Sequence, residues 1–541
     1  MIAAEIEDNN KDMNTNLRIR LSAWALSLLL LSPVAVYAQE NNVAVADLQR
    51  AIGLLDSTYA KCFTGSNNNL KMYDTYDLKS KRGGGTADVW PYTAALEATN
   101  SVLEALEALK QEAPNLYEKY HAKYVGQLRV LYDNLAYYRG SYTLISYASV
   151  RRWSIYGVHR ASTKERATVT GIENVYDDQM WLIRELMRAY KLTGTAEYLH
   201  EAQYLADYVI DGWDCLRDAN GEEYGGITWG PGYNSKHACS NAPIVQPLVW
   251  LYEASAIEDE KADYTYYYCD ASNKRVSTTT KRSEVYLAFA KKIYAWQKKY
   301  LLKPNGVYWD MMGGVTGAIQ YEKEGTTTYR AHVDVGNPGG TAYTYNSGTM
   351  LSGAAELYRV TRDDSYRADL VSLSQATWQV FAHMVKRING VAYYQYPIDE
   401  SATNGFNTWF DNVLMRAYWD ALPYNGVFSA KCLTYFQQDL DYGFEHYLSD
   451  GFLPIDLIKG WKSDTVTKGF HQLAFAAEYA ILAQWQKKTA TAIVLPKAGK
   501  TSSEGNVYGL DGTLIQRKAT SRDVARLPHG LYIVGSRKLL R

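Results

Sequence analysis

Two carboxylates stand side by side in Asn174-Val175-Tyr176-Asp177-Asp178-Gln179-Met180-Trp181. A helix is expected to begin there: Ile183, Leu186, Met187 and Tyr190 recur at the spacing of one helical face, and Gly194 follows as a C-terminal stop. Arg184, Arg188 and Lys191 fall on the other face. With Asn174 as N-cap, both acids lie in the first turn, where free backbone N–H groups favour negative charge. Acids in that position often do no more than balance the helix dipole. Here Tyr176 and Trp181 bracket them with rings able to stack on a ligand, and the polar run from Arg151 to Gly171 reads as an irregular loop that forms a cleft wall. Neighbouring residues on a helix point about 100° apart, so two such acids approach one bound group from different directions. Close carboxylates also drive their proton affinities apart, leaving one protonated and one charged. Cleavage of a glycosidic bond needs that combination, an acid beside a base or nucleophile.

Other residues suited to binding recur at the starts of helical segments. Gly83-Gly84-Gly85 precedes Trp90-Pro91-Tyr92, and no Gly-Lys-Ser/Thr follows to make it a phosphate loop. Gly225-Gly226-Ile227-Thr228-Trp229 leads to Lys236 and Ser240-Asn241-Ala242-Pro243. Val307-Tyr308-Trp309-Asp310 closes one helical region and Thr344-Tyr345-Asn346-Ser347-Gly348 opens another. Each stretch alone is explained equally well by turn or capping chemistry.

Periodicity predicts helices near 44–62, 92–110, 117–138, 178–193, 196–213, 239–256, 282–301, 346–361, 364–387, 408–421, 430–448 and 469–487. Leu199, Ala202, Ala206 and Val209 show the pattern, and small residues such as Ala476, Ala477 and Ala480 allow close helix approach. There is no short fixed repeat. Twelve helices in sequential pairs suit an all-α, closed (α/α)6 barrel of six hairpins with its cleft at one end. The catalytic barrel is expected to span 39–488, followed by a linker over 489–505 and a small β module over 506–541, where Val507-Tyr508 and Gly530-Leu531-Tyr532-Ile533-Val534 alternate like short strands.

Residues 1–38 read as a signal peptide. Arg18 and Arg20 are its basic part, Leu21 to Val36 its apolar core, and Val36-Tyr37-Ala38 the cleavage signal before Gln39. The apolar run is short and broken by Pro33, against a permanent membrane anchor. The net charge of −1 provides no basic field for nucleic acid. The five cysteines show no C-x-x-C pair and, being odd in number, cannot all pair; one or two disulfides at most are expected, and no cysteine metal site. The nine histidines show no H-E-x-x-H spacing, and neither metal nor cofactor is called for. The 47 tyrosines and 14 tryptophans serve either an aromatic core or a sugar groove.

Tyr176-Asp177-Asp178 with Trp181 resembles the paired-aspartate signature of glycoside hydrolase family 76, the endo-α-1,6-mannanases. Trp90-Pro91-Tyr92, Gly225 to Trp229, Lys236 with Ser240 to Pro243, and Tyr345-Asn346 with Gly348 match in the same order over roughly 44–488. His237 departs from the Asn expected after the lysine. The resemblance implies an (α/α)6 barrel and a retaining mechanism with Asp177 as nucleophile and Asp178 as general acid/base. It further implies that Trp90, Tyr176, Trp181, Trp229, Lys236, Asn241, Tyr345 and Asn346 line sugar subsites, and that the partner of a monomeric, exported chain is α-mannan or a mannooligosaccharide. The last strands resemble the short sorting domains of exported Bacteroidetes proteins. Competing readings are another (α/α)6 carbohydrate enzyme, such as an unsaturated-glycan hydrolase, a lyase or a transglycosylase, and a non-catalytic glycan binder. A lyase would want a His or Tyr base near an arginine cluster, and a surface binder a lipid-modified Cys after the signal; neither is seen in the sequence.

Overall fold

The computed structural model describes residues 32–258, 262–314, 317–462, 465–492, 505–509, 514–519, 531–534 and 537–540. Most of the expected signal peptide and linker therefore lies outside the described residues. Twelve α-helices follow in order: α1 Ser32–Cys62, α2 Val89–Ala108, α3 Pro114–Asn134, α4 Tyr176–Thr193, α5 Ala196–Asp211, α6 Val245–Glu258, α7 Arg282–Leu301, α8 Thr344–Thr361, α9 Asp364–Phe381, α10 Asn407–Ala421, α11 Gly426–Tyr447 and α12 Gly469–Ala492.

Their packing closes a ring. Helix α2 touches α4, α4 touches α6, and the series continues through α8, α10 and α12 back to α2. The odd-numbered helices lie outside, each against an inner partner, so the architecture is an (α/α)6 barrel. The pairing frame differs from a simple sequential one. The hairpins are α2–α3, α4–α5, α6–α7, α8–α9 and α10–α11, and the sixth pair joins α1 to α12 across the length of the chain.

The two rings differ in sequence for a physical reason. An outer helix has one wet face: α3 buries only Tyr124, Leu128, Leu131 and Asn134. An inner helix has none, so α2 is buried from Val89 to Leu106 with few breaks. Crowding in the inner ring selects small residues. A Cβ on Gly348 of α8 would lie 3.0 Å from the Leu414 Cα of α10.

The burial also overturns the polar face expected for α4. Arg184 and Arg188 are buried and bonded to Glu185, with Arg188 also gripping Glu104, because that face looks into the barrel and not into water. Several boundaries moved as well: α1 begins at Ser32 rather than near 44, and α12 runs on to Ala492. The predicted helix 364–387 stops at Phe381, because His383–Ile388 and Val391–Gln395 form a hairpin. Its turn is Asn389-Gly390, both at positive φ, the strongest short hairpin signal. Helix α6 starts at Val245 after a 3-10 turn, Ala242–Ile244, that accommodates Pro243. Part of the expected loop 151–171 is strand, Val150–Tyr156 pairing with Arg139–Ile145. Near the C-terminus, Gly505–Gly509, Leu514–Ala519, Leu531–Val534 and Arg537–Leu540 form one antiparallel sheet, in keeping with the alternation seen in the sequence.

Candidate active site

Contacts between corresponding ends of the inner helices show that their N-termini gather at one end of the barrel. Trp90 of α2 packs on Trp409 of α10 (5.1 Å between ring centres), Trp409 on Trp181 of α4 (4.8 Å), and Tyr345 of α8 on Phe410 (4.3 Å). Asp177 and Asp178 occupy the first turn of α4 at this end.

Helix α4 is not capped by Asn174. Its N-cap is Val175, and the Asn174 amide donates to the Val169 carbonyl while its oxygen accepts from the Tyr208 hydroxyl. The Tyr176 backbone N–H instead donates to the Trp229 carbonyl at 2.8 Å, which ties the start of the helix to the Gly225–Trp229 loop. Asp178 is 6% exposed; Asp177 is half-buried, and its Oδ1 is enclosed without a hydrogen-bond partner among the described residues. Burial pushes the Asp177 carboxyl up to about 6, against the Cys239 thiol and the Trp229 indole, which favour its charged form. Burial, the adjacent Asp177 and then Asp88 raise Asp178 well above the ordinary carboxylate range. The shifts run in the direction that leaves Asp178 the more readily protonated of the two and Asp177 the more readily charged.

The loop that carries Trp229 is built from beneath. Gly225 and Gly226 take φ values of 67° and 75°, and a Cβ on either would strike the Trp296 ring at 2.7 and 2.4 Å. Asn241, fully buried, accepts from the Ile227 N–H and donates to the Ile227 and His237 carbonyls. Lys236 is 3% exposed and its ammonium bonds Asp214 (2.8 Å) and the Gly225 carbonyl. His332 reaches the same Asp214 oxygen at 2.7 Å. Against the cost of burial, Lys236 and His332 hold Asp214 below its ordinary pKa. Lys236 and Asn241, expected to line sugar subsites, thus hold the loop that presents Trp229. His237, the residue that departs from expectation, stacks on Trp229 at 4.8 Å and bonds Ser235; burial lowers its pKa to about 4, so the ring is neutral.

The other expected subsite residues divide by depth. Trp90 and Trp229 are partly buried, each keeping some exposed surface. Tyr176 and Trp181 do not flank the acids as open stacking faces. Tyr176 is 1% exposed, lies against Tyr208, and fills the space over Gly212, while Trp181 is enclosed by Trp409 and Tyr345. Asn346 is fully buried and donates to Asp310 Oδ1 at 3.4 Å, and the Tyr345 hydroxyl reaches the same oxygen at 3.5 Å. Asp310 carries no sign of its own in the sequence that sets it apart as a site residue. Burial raises its pKa, and Asn346 and Tyr345 oppose the shift. Its only linear signal is Trp309 beside it before a glycine-rich stretch; the partnership with α8 is tertiary.

The family model for glycosyl hydrolase family 76 matches residues 159–274 and 273–439, together more than half of the chain. The chain belongs to this family. Comparison with curated proteins returned no match. Among solved structures, a family 76 glycoside hydrolase (mannosidase) of Bacteroides thetaiotaomicron shares 19% identity over 82% of this chain and 100% of its own, with a TM-score of 0.58. An α-1,6-mannanase of Salegentibacter sp. shares 19% identity over 80% and 98%, with a TM-score of 0.52. An inactive variant of that mannanase, changed at two consecutive aspartates and in complex with α-1,6-mannotetrose, shares 18% over 81% and 98%, also at 0.52.

Within this family 76 barrel, Asp177, Trp229 and Trp90 are joined by a common deficit. Trp229 Nε1 and Asp177 Oδ1 approach each other without closing a well-formed hydrogen bond, and the buried Trp90 Nε1 and Asn346 Oδ1 lack partners among the described residues. Buried polar atoms are normally paired. Several such incompletely paired atoms lie at the barrel end that holds the acid pair.

Proposed function

We propose that this glycoside hydrolase cleaves α-1,6-mannosidic linkages of α-mannan with retention of configuration. The observation that carries the reading is the pair of adjacent buried carboxyls in the first turn of α4, where burial and mutual repulsion favour one proton shared unequally between them. Asp178, protonated, gives its proton to the leaving glycosidic oxygen while Asp177 attacks the anomeric carbon. The C–O bond to the leaving sugar breaks as the bond to Asp177 forms. Asp178, now charged, takes a proton from water, the water displaces Asp177, and both carboxyls return to their starting states. Retention calls for carboxyls about 5–5.5 Å apart, which neighbours in one helical turn can meet. Trp90 and Trp229, each partly exposed, would present ring edges to the sugars, and Asp310 with Asn346 would offer acceptors. The α-1,6-mannotetrose bound by the Salegentibacter variant supports the choice of substrate.

In this reading the protein acts as a monomer outside the cytoplasm. Residues 1–38 direct export, and the C-terminal strands serve passage across, or retention at, the outer membrane.

Incubation of the purified protein with linear α-1,6-mannan, with products resolved by size, tests the substrate. Mannooligosaccharides should accumulate early, as internal cleavage requires. Release of mannose alone would mean exo action, and an unchanged polymer would reject the substrate assignment.

A further inference from the structure

All five cysteines are buried, and two of them meet. The sulfurs of Cys215 and Cys269 lie 2.8 Å apart, inside the van der Waals contact of two sulfur atoms. Cys62, Cys239 and Cys432 have no cysteine within hydrogen-bond reach among the described residues. Cys215 belongs to the segment after α5 in which Trp213 and Arg217 pair with Ile227 and Glu223 of the Trp229 loop. Its neighbour Asp214 holds Lys236 and His332. Cys269 ends the first strand of a hairpin, Tyr264–Cys269 with Arg275–Thr280, inserted between α6 and α7.

The two segments are docked independently of the sulfurs. Asn273, at the hairpin turn, accepts from the Arg217 N–H at 2.7 Å and donates to the Arg217 carbonyl at 3.1 Å. Arg275 donates to the Tyr147 carbonyl at 3.1 Å, to which the Cys269 thiol also points at 3.8 Å. Facing thiols fixed by such contacts meet the proximity that a disulfide requires. Oxidation rests on the export proposed above, which would carry such a pair into an oxidising compartment.

We infer that Cys215 and Cys269 form a disulfide in the mature protein, pinning the 264–280 hairpin to the segment that supports the Trp229 loop, and that the other three cysteines remain thiols. The oxidant is an external disulfide. One cysteine thiolate attacks it, giving a mixed disulfide and one released thiol. The second cysteine thiolate then displaces the other oxidant thiol. The protein loses two electrons and two protons, and the oxidant gains both as two S–H bonds. The odd cysteine count is then accounted for as one pair and three buried thiols.

The full chain, made in an oxidising compartment or treated as a reduced chain with oxidised glutathione, should be denatured in excess N-ethylmaleimide and weighed intact. Three adducts are expected before reduction and five after it, from the five cysteines. Peptide mapping should join the peptide of Cys215 to that of Cys269. The Cys269→Ser chain should take four adducts with or without reductant, and wild-type mapping stands alone if that variant fails to fold. Five adducts before reduction in both preparations, or a linkage joining other cysteines, would overturn the inference.

Discussion

Asp177→Asn and Asp178→Asn should both fold, both bind mannooligosaccharide, and both hydrolyse α-1,6-mannan about a hundredfold to ten-thousandfold more slowly than wild type, the usual weight of acid/base assistance. Their responses to other conditions should separate the roles. An activated leaving group needs no proton to depart, so it should restore the first step in Asp178→Asn and leave Asp177→Asn inactive. Added azide should give a product of retained configuration only with Asp178→Asn. The pH profile follows from the same assignment. In wild type, activity should fall on the acid side as Asp177, raised to about 6 by burial, takes up a proton and loses its nucleophilic charge. It should fall on the alkaline side as Asp178, raised by burial and by Asp177, loses the proton it must donate. The two limbs belong to the pair as a unit. With an activated substrate, Asp178→Asn should keep the acid limb and lose the alkaline one. If both variants hydrolyse mannan at the wild-type rate and lose only about 1 kcal/mol of stability, the acids are helix-capping groups and not catalysts.

The second large effect is on stability. Glu97 of α2 is 3% exposed inside the barrel. It accepts from the Trp409 indole at 3.0 Å, the Asn412 amide at 3.2 Å and the Arg416 guanidinium, all on α10. Removing one partner of a buried ion pair leaves the other charge without compensation, at a cost of about 3–5 kcal/mol. Glu97→Ala should lower unfolding stability by that order, read from the urea midpoint at unchanged slope. Arg416 is poorly placed to tolerate the loss, since burial and the neighbouring Arg184 already bring its pKa down to about 10. Glu97→Gln, which keeps an acceptor for part of the set, should cost less. The effect should reach the catalytic end, because Trp409 supports both Trp90 and Trp181. A Glu97→Ala change within half a kilocalorie per mole of wild type would show that the inner ring does not depend on this link.

The sequence exposed what is local and hid what is tertiary. Each of the twelve helices carried its own period, so each was legible, and α7 matched to the residue. Their pairing was not, because nothing near Cys62 indicates that α1 packs on α12. Arg184 and Arg188 fall opposite the apolar stripe, and nothing in the period shows that they are buried, because an inner helix of a two-ring barrel has polar neighbours that periodicity cannot display. The Asn389-Gly390 turn was available in the sequence, but the helical pattern of the preceding residues ran over it. At the site, Asp177, Asp178, Trp90 and Trp229 stood out by type and position. Tyr176 stood out equally and lies behind α4, since a ring next to an acid in sequence points away from it on a helix. Asp310, Cys239 and the stacking of His237 on Trp229 depend on folds of the chain between helices, which carry no period.

The most direct measurement is the configuration of the first product. Proton NMR of linear α-1,6-mannan digested in deuterium oxide resolves the new reducing end before mutarotation. The α anomer should appear first and the β anomer only later, as double displacement through Asp177 requires. A β anomer appearing first would mean that water attacks directly, and Asp177 would not be the nucleophile.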